Sequence, residues 1–293
     1  MNWYYGLILV AVVMFGGNFA LQDTYRKMRG SGLKISLESS LIGSLAGLAV
    51  LLVINGLRFE LTPFTLIMAV LAALNSFGFT FCSFRALEHI NLSVFSLFSM
   101  LGGMLLPFFQ GLIFYGEDMT WAKGICVFLI IAALLLTVSP SKGQKRSKKG
   151  TIYYIGIFVL NGLAGVLTAV HEKSPFAKAG ADAYSIWIAV CTIVIAAVAL
   201  LFLRKKKTEK PYSWRAGGVC AIQGVLGRVA NFLLVVAQAN KVDTSVQYSM
   251  VTGGVMVVST LICFFGANKP GKREVISVVL AFLGMVALFA IPF

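Results

Sequence analysis

Apolar stretches long enough to cross a lipid bilayer follow one another along almost the whole chain. A helix of about 20 apolar residues spans the hydrocarbon core of a bilayer. Ten such stretches lie at residues 3–21, 37–54, 64–84, 93–115, 120–138, 151–170, 183–203, 215–239, 243–265 and 274–291. The chain is 58% hydrophobic and only 12% charged, which is far from the composition of a soluble domain. The sequence therefore predicts an all-α integral membrane protein with ten transmembrane helices.

The basic residues predict how these helices are oriented. Lys and Arg cluster after the first, fifth, seventh and ninth stretches, at 26–34, 142–149, 204–215 and 269–273. Because basic residues accumulate in cytoplasmic loops, we expect these loops in the cytoplasm and both termini outside it, in a multi-pass protein of the cell membrane. Topology also accounts for the net charge of +14. We therefore expect no nucleic-acid partner, and the lipid bilayer and a small-molecule substrate as partners of a monomer or homodimer.

A basic segment at 139–150 divides the chain into two halves with five apolar stretches each. We interpret it as a cytoplasmic linker between a first five-helix repeat, 1–138, and a second, 151–293. Since five is an odd number, the second repeat must be inverted in the membrane relative to the first. Inverted repeats are a recurrent architecture of secondary transporters, which bind their substrate near the bilayer midplane between the two repeats.

Four short motifs carry a resemblance to a known family. They are Phe15-Gly16-Gly17-Asn18-Phe19 in the first stretch, Arg85-Ala86-Leu87 closing the third, Pro107 in the fourth, and Tyr115-Gly116-Glu117 after it. In these motifs and in its ten stretches the chain resembles the EamA-like permeases of the drug/metabolite transporter (DMT) superfamily. The resemblance implies transport across a membrane, with stretches 1, 3, 4, 6, 8 and 9 arranged around a central cavity.

Arg228 lies near the middle of the eighth stretch, and no acidic residue lies at a similar depth in any stretch. A charge at the centre of a bilayer costs on the order of 2.5–3.5 kcal/mol on insertion scales, so it rarely faces lipid. Two interpretations stay open: the guanidinium pairs with an anionic group of the substrate, or it has a structural role, in which it snorkels or binds backbone carbonyls of a broken neighbouring helix. At helical spacing Arg228 shares one face with Gln223, Gly227 and Asn231.

Polar and aromatic residues of the other inner stretches complete the predicted substrate site. The predicted lining is Asn18, Asn75, Phe79, Ser99, Asn161, Arg228, Asn231, Gln247 and Tyr248. For each of these taken alone, a hydrogen bond between helices is an alternative role. Spans 5 and 10 carry few polar side chains and are predicted to be peripheral.

Proline and paired glycines mark candidate gating positions. Pro107 interrupts the fourth stretch, where the missing backbone hydrogen bond allows a kink. Gly102-Gly103 and Gly253-Gly254 occupy corresponding places in the two halves, at an offset of 151 residues. They can serve as hinges or as tight helix crossings, and the sequence does not decide between these roles.

The residues favour a secondary transporter that moves a small polar metabolite, an amino acid or a related carboxylate, and the family resemblance implies export. No phosphate-binding loop, catalytic pair or metal motif occurs, so we expect no enzyme activity, no metal and no cofactor. His89 and His171 lie at the ends of stretches, where interfacial positions are expected. The alternatives are a non-transporting membrane receptor or assembly partner, and a carrier of cationic or drug-like substrates.

Overall fold

A computed structural model describes residues 3–57, 60–116, 119–138, 148–203, 213–240, 244–265 and 270–290, and these residues form ten α-helices. The helices are α1 Tyr4–Arg29, α2 Leu33–Ile54, α3 Pro63–Ala86, α4 Leu92–Phe114, α5 Trp121–Val138, α6 Lys148–Lys173, α7 Ala181–Phe202, α8 Trp214–Ala239, α9 Thr244–Phe265 and α10 Lys272–Ala290. Each contains or overlaps one predicted span, which confirms the all-α prediction. Most of the predicted linker, 139–147, lies outside the described residues.

The helices have the length and composition of membrane spans. Within the described ranges, seven of them (α1 to α4 and α6 to α8) are long and apolar enough to cross a bilayer, and α5 and α9 contain shorter apolar segments. Inside a bilayer every backbone N–H and C=O group must find a partner within the protein, and a helix provides that partner within one segment. This is why nearly continuous apolar sequence folds here into helices alone.

α1 continues well beyond its predicted end at residue 21 and finishes at Arg29. The added turns are stabilised by ion pairs from Asp23 to Arg26 (2.8 Å) and to Lys27 (2.6 Å), one turn further along the helix. Gly30 then ends the helix with a φ of 108°, a conformation that favours glycine. The span prediction stopped early because hydropathy reports the bilayer, whereas the helix extends into polar sequence.

The packing partners of the helices follow a two-fold pattern. α1 packs on α8 and α9, while α6 packs on α3 and α4; α2 packs on α8 and α7, while α7 packs on α3 and α2. α4 also packs on α9, and α5 on α10. Shifting every helix number by five converts six of these pairs into one another and the other three, α2 with α7, α4 with α9 and α5 with α10, into themselves. An internal repeat predicts this pattern, and each repeat contributes helices to the surroundings of the other.

The corresponding helices α1 and α6 run in opposite directions. Tyr25, near the end of α1, packs against Phe84 near the end of α3, with ring centroids 6.0 Å apart. His171, near the end of α6, stacks on Phe64 at the start of α3, at 5.9 Å. Since α3 runs from one side of the bundle to the other, α1 and α6 end on opposite sides. This is the relation that an inverted repeat requires, although the repeat boundaries themselves stay a prediction.

Candidate functional site

A cavity of about 270 Å³ lies in the centre of the bundle. Its described lining comes from α1, α2, α3, α4, α6, α7, α8 and α9, whereas α5 and α10 pack on each other and contribute none of it. Among the described residues that line it, Arg228 is the single charged one, and no carboxylate is present. The rest of the wall is a mixture of amides, hydroxyls, glycines and apolar side chains. The cavity is therefore electropositive and partly polar.

Arg228 reaches from α8 to two other helices. One terminal nitrogen, Nη2, donates to the Ser44 hydroxyl of α2 at 2.8 Å and to the Thr192 hydroxyl of α7 at 3.0 Å. These bonds use two of the five guanidinium N–H groups. The other three have no protein partner in the part of the chain that the structure describes. The backbone-carbonyl interpretation of Arg228 is therefore not what the structure shows, and donors remain for an anion.

Small residues bring α2 close enough to hold this side chain. Gly43 lies against Gly224 of α8, so that a Cβ added at Gly43 would sit 3.2 Å from the Gly224 Cα. One turn further along, a Cβ at Gly47 would lie 2.5 Å from Cγ of Arg228. The space of the missing side chain at Gly47 is thus filled by the Arg228 stem. Such small-residue crossings allow membrane helices to pack closely.

Four of the predicted amides use their nitrogen atoms to join helices. Asn18 Nδ2 donates to the Gln223 carbonyl at 2.6 Å, and Asn75 Nδ2 to the Leu160 carbonyl at 2.9 Å. Asn161 Nδ2 donates to the Ser99 carbonyl at 2.7 Å, and Gln247 Nε2 to the Leu234 carbonyl at 3.0 Å. All four side chains also line the cavity. They therefore hold its walls together.

Two of these amides leave a buried acceptor without a partner. Asn75 Oδ1 and Gln247 Oε1 accept no hydrogen bond from the described residues. A buried acceptor that stays unpaired costs about 1–3 kcal/mol, so such atoms usually have a partner in the working protein. An N–H or O–H donor of a bound molecule can supply one.

The remaining predicted residues differ in their positions. Phe79, Tyr248 and Asn231 line the cavity, and Asn231 is exposed there, with its Nδ2 donating to the Gly227 carbonyl of its own helix at 2.8 Å. Ser99 does not line the cavity: its side chain is fully buried in α4, and only its carbonyl takes part in the site, as the acceptor for Asn161. The expectation that Ser99 faces the cavity is therefore wrong. α4 is the most enclosed of the described spans, so its polar side chains are covered by neighbouring helices, and the Ser99 hydroxyl has no hydrogen-bond partner among the described residues.

The sequence analysis missed the contributions of α2 and α7. Ser39, Ser40 and Ser44 of α2 line the cavity, as do Tyr184 and Thr192 of α7. The predicted lining does not include α2 and α7, because the family resemblance implies that other spans surround the cavity. A usable signal was present in the sequence, since the three serines lie close to Gly43, which forms with Gly47 a Gly-x-x-x-Gly spacing typical of closely packed membrane helices.

The candidate gating residues lie at close helix contacts. A Cβ added at Gly102 would overlap the backbone carbonyl of Phe158 on α6, and one at Gly254 would lie 2.7 Å from Val12 on α1. Gly103 borders the cavity beside Asn161, and Gly253 is buried in α9. Pro107 packs against Gly165 of α6. Of the two roles left open, the structure shows the tight crossing at Gly102 and Gly254. A hinge role stays a prediction.

A helical bundle with an apolar surface, a polar central cavity and two-fold packing is the architecture of membrane transporters. The comparison with protein families agrees with this class. The first half of the chain matches the model of the EamA-like transporter family over residues 2–139. This match supports a membrane transporter of the DMT type, and the members of that family are transporters and not enzymes.

The fold of the whole chain has counterparts among solved structures. One crystal structure with 18% sequence identity superposes with a TM-score of 0.65 and covers 96% of this chain and 94% of its own. At this identity the likeness establishes the fold alone, including the second half that the family model does not reach. No curated protein sequence matches the chain.

Proposed function

We propose that the protein is a secondary transporter that exports a small polar metabolite, an amino acid or a related carboxylate, by alternating access. The observation that carries this proposal is Arg228, which holds three N–H donors toward a cavity whose described lining has no carboxylate. Arginine is well suited to bind a carboxylate because its planar donors match the two oxygens. The direction of export rests on the family resemblance.

The size of the cavity supports a small substrate. Sites for drug-sized ligands occupy about 300–1,000 Å³, and this cavity of about 270 Å³ lies below that range. The unpaired acceptors Asn75 Oδ1 and Gln247 Oε1 are suited to the ammonium group of an amino acid. The positive charge of Arg228 opposes a cationic substrate in the same space. These features favour a zwitterion or an anion over a cationic or drug-like molecule.

Counterflow in proteoliposomes tests this proposal. Vesicles containing the purified protein are loaded with unlabelled L-alanine, L-glutamate or succinate, and the uptake of the same labelled compound is followed. We expect uptake of at least one compound above that of protein-free vesicles. Choline serves as the cationic comparison, and exchange of choline alone would reverse the assigned substrate charge. Binding of these compounds without any exchange would favour the receptor alternative.

We also propose that residues 1–138 and 151–293 are the two units that rock against each other, with both termini outside the cytoplasm. The basic loops support this orientation, because the positive-inside bias places them in the cytoplasm. A reporter fused after Phe293 that fluoresces only in the cytoplasm should remain dark. The same reporter inserted within 142–149 should be bright, and the opposite pair of results would invert the proposed topology.

A further inference from the structure

His171 is fully buried at the end of α6, beside two aromatic rings. The ring of Tyr184, from α7, stacks on the imidazole at 3.9 Å and 6°, and the ring of Phe64, from α3, lies nearly parallel to it at 5.9 Å and 8°. The faces of aromatic rings carry negative charge density and attract cations. This enclosure therefore suits an imidazole that is neutral at one stage and positively charged at another.

Both ring nitrogens of His171 have hydrogen-bond partners. Nδ1 lies 3.1 Å from Oε1 of Glu172, and Nε2 lies 3.0 Å from Oγ1 of Thr65. The Thr65 hydroxyl also accepts the backbone N–H of Ala179 at 3.0 Å and lies 2.9 Å from the Thr62 hydroxyl. The imidazole is thus tied to α3 and, through Thr65, to the segment that leads into α7.

This network can accept a proton without moving any heavy atom. With neutral His171, the Thr62 hydroxyl donates to Thr65, and Thr65 donates to Nε2. When Nε2 binds a proton, the new N–H donates to Thr65, the Thr65 proton rotates to the Thr62 oxygen, and the Thr62 proton rotates away from Thr65. Nδ1–H donates to the Glu172 carboxylate in both states. Only hydroxyl protons rotate, so His171 can gain and release a proton within an intact structure.

Charged groups lie close to His171. Glu172 is in direct contact, and its side chain is about 20% exposed, which gives the buried ring a connection to solvent. Lys178 lies 3.8 Å from the other Glu172 oxygen, and Lys173 lies over the ring of Tyr115. The same end of the bundle carries Glu60 before α3 and Asp182 in the first turn of α7. The negative end of the α6 dipole lies at the same end of the bundle.

Tyr184 connects His171 to the substrate cavity. Its ring stacks on the imidazole, and the same residue lines the central cavity together with Arg228. Its buried hydroxyl has no hydrogen-bond partner among the described residues. A charge change at His171 alters the attraction on the Tyr184 ring, and a molecule in the cavity can contact the same side chain. Protonation of His171 and binding of a molecule in the cavity therefore both act on Tyr184.

We propose that His171 is the proton-binding site through which this transporter couples substrate movement to a proton gradient. The proposal rests on the proposed transport function. Histidine is the side chain whose charge ordinarily changes between about pH 5 and 8, the range in which a cell maintains such gradients. No Asp, Glu or His lies in the middle of a predicted stretch. The group proposed to couple transport to protons, His171, lies instead at the end of the sixth stretch.

Accumulation driven by a pH gradient tests the coupling. Proteoliposomes receive a gradient of one pH unit, in either polarity, together with the labelled compound that exchanges fastest among L-alanine, L-glutamate and succinate. With one proton per substrate, such a gradient supports about a tenfold concentration difference, and we expect it for one polarity. In His171→Gln the accumulation should vanish, and the pH profile of exchange between pH 5 and 8 should become flat. His89→Gln, at an exposed position on the opposite side of the bundle, is the matched control and should behave as the wild type.

Three results would overturn the coupling while leaving the transport function intact. These are exchange without accumulation under either polarity, accumulation by His171→Gln equal to that of the wild type, and an unchanged pH profile in that variant. If His171→Gln does not fold, Thr65→Val decides, since it keeps the imidazole but removes the hydroxyl and must shift the pH at which exchange changes.

A measurement without substrate separates this proposal from the transport function itself. The chain contains two histidines, so ¹⁵N-histidine labelling of His89→Gln leaves the signal of His171 alone. We expect that signal to show titration between pH 5 and 8 in the folded protein. A histidine that stays in one protonation state throughout would overturn the proton site, whether or not any compound is transported.

Discussion

The two ends of the bundle are built from corresponding helices, yet different side chains hold them together. At one end α1 finishes beside the starts of α2 and α8, and Arg29 pairs with Glu38 at 2.5 Å. At the other end α6 finishes beside the starts of α7 and α3, and the buried centre is His171. Arginine stays charged at any pH that a cell experiences, whereas histidine does not. The same packing is thus joined by a permanent ion pair at one end and by a titratable ring at the other.

This difference indicates how a transporter with two similar halves can respond to its surroundings on one side only. Opening the Arg29–Glu38 end requires separating two charges at every pH. Opening the His171 end requires breaking contacts whose strength depends on the protonation of one ring. A proton gradient then acts on one end of the molecule and leaves the other unaffected.

The largest expected effect comes from a residue that belongs to neither end. Arg228 bonds to α2, which starts at the Arg29 end, and to α7, which starts at the His171 end. Its loss should therefore stop transport whichever end is open. Arg228→Gln should lower exchange about a hundredfold or more, because a charged partner of the substrate is removed. Arg228→Lys keeps the charge but loses the planar donors, so it should retain weakened exchange.

Surface expression, measured beside exchange, controls for folding in both Arg228 variants. We expect Arg228→Gln to be expressed, since removing a charge from the middle of the membrane relieves an insertion cost. Poor expression of this variant, with normal exchange per folded molecule, would assign Arg228 a structural role only. Normal exchange by well-expressed Arg228→Gln would contradict its role in binding the substrate.

An intermediate effect is expected at the ion-paired end. Arg29→Gln should lower the free energy of unfolding by about 2 kcal/mol. This is below the roughly 3–5 kcal/mol for breaking a fully buried pair, because Glu38 is about 20% exposed and Lys34 lies 4.0 Å away from it. Lys27→Gln is the matched control, because the side chain of Lys27, which pairs with Asp23, is 54% exposed. Exposed ion pairs contribute at most about 1 kcal/mol to stability. Thermal unfolding in detergent compares the two, and equal losses would contradict the burial argument.

The smallest effect is expected at the histidine end at neutral pH. Tyr184→Phe keeps the stacked ring and removes a hydroxyl that lacks a partner among the described residues, so stability should change by less than about 0.5 kcal/mol. Tyr184→Leu removes the stacking and should cost about 1 kcal/mol. The difference between the two variants, measured by thermal unfolding, should grow when the pH is lowered toward 5. A constant difference would mean that the ring does not sense the charge of His171.

The fold was predictable because the bilayer imposes a simple rule on every span: about 20 apolar residues in a helix. Hydropathy located all ten helices but not the polar end of α1, where ion pairs and not lipid determine the last turns. The cavity was predictable through Arg228 and the amides, whose polarity is conspicuous in apolar sequence. The serines of α2 were missed because a hydroxyl on an apolar helix gives a weak signal. The environment of His171 was missed because its partners, Phe64, Thr65 and Tyr184, are far from it in sequence.

The position of the Arg228 stem over Gly47 has a consequence for binding entropy. A free arginine side chain samples many rotamers, and fixing it costs about 2 kcal/mol. Here Gly47 receives the stem, and Ser44 and Thr192 hold one terminal nitrogen, so the side chain is ordered before any substrate arrives. A metabolite with few atoms has little interaction energy to offer. Preorganisation of this arginine leaves more of that energy for recognising the metabolite.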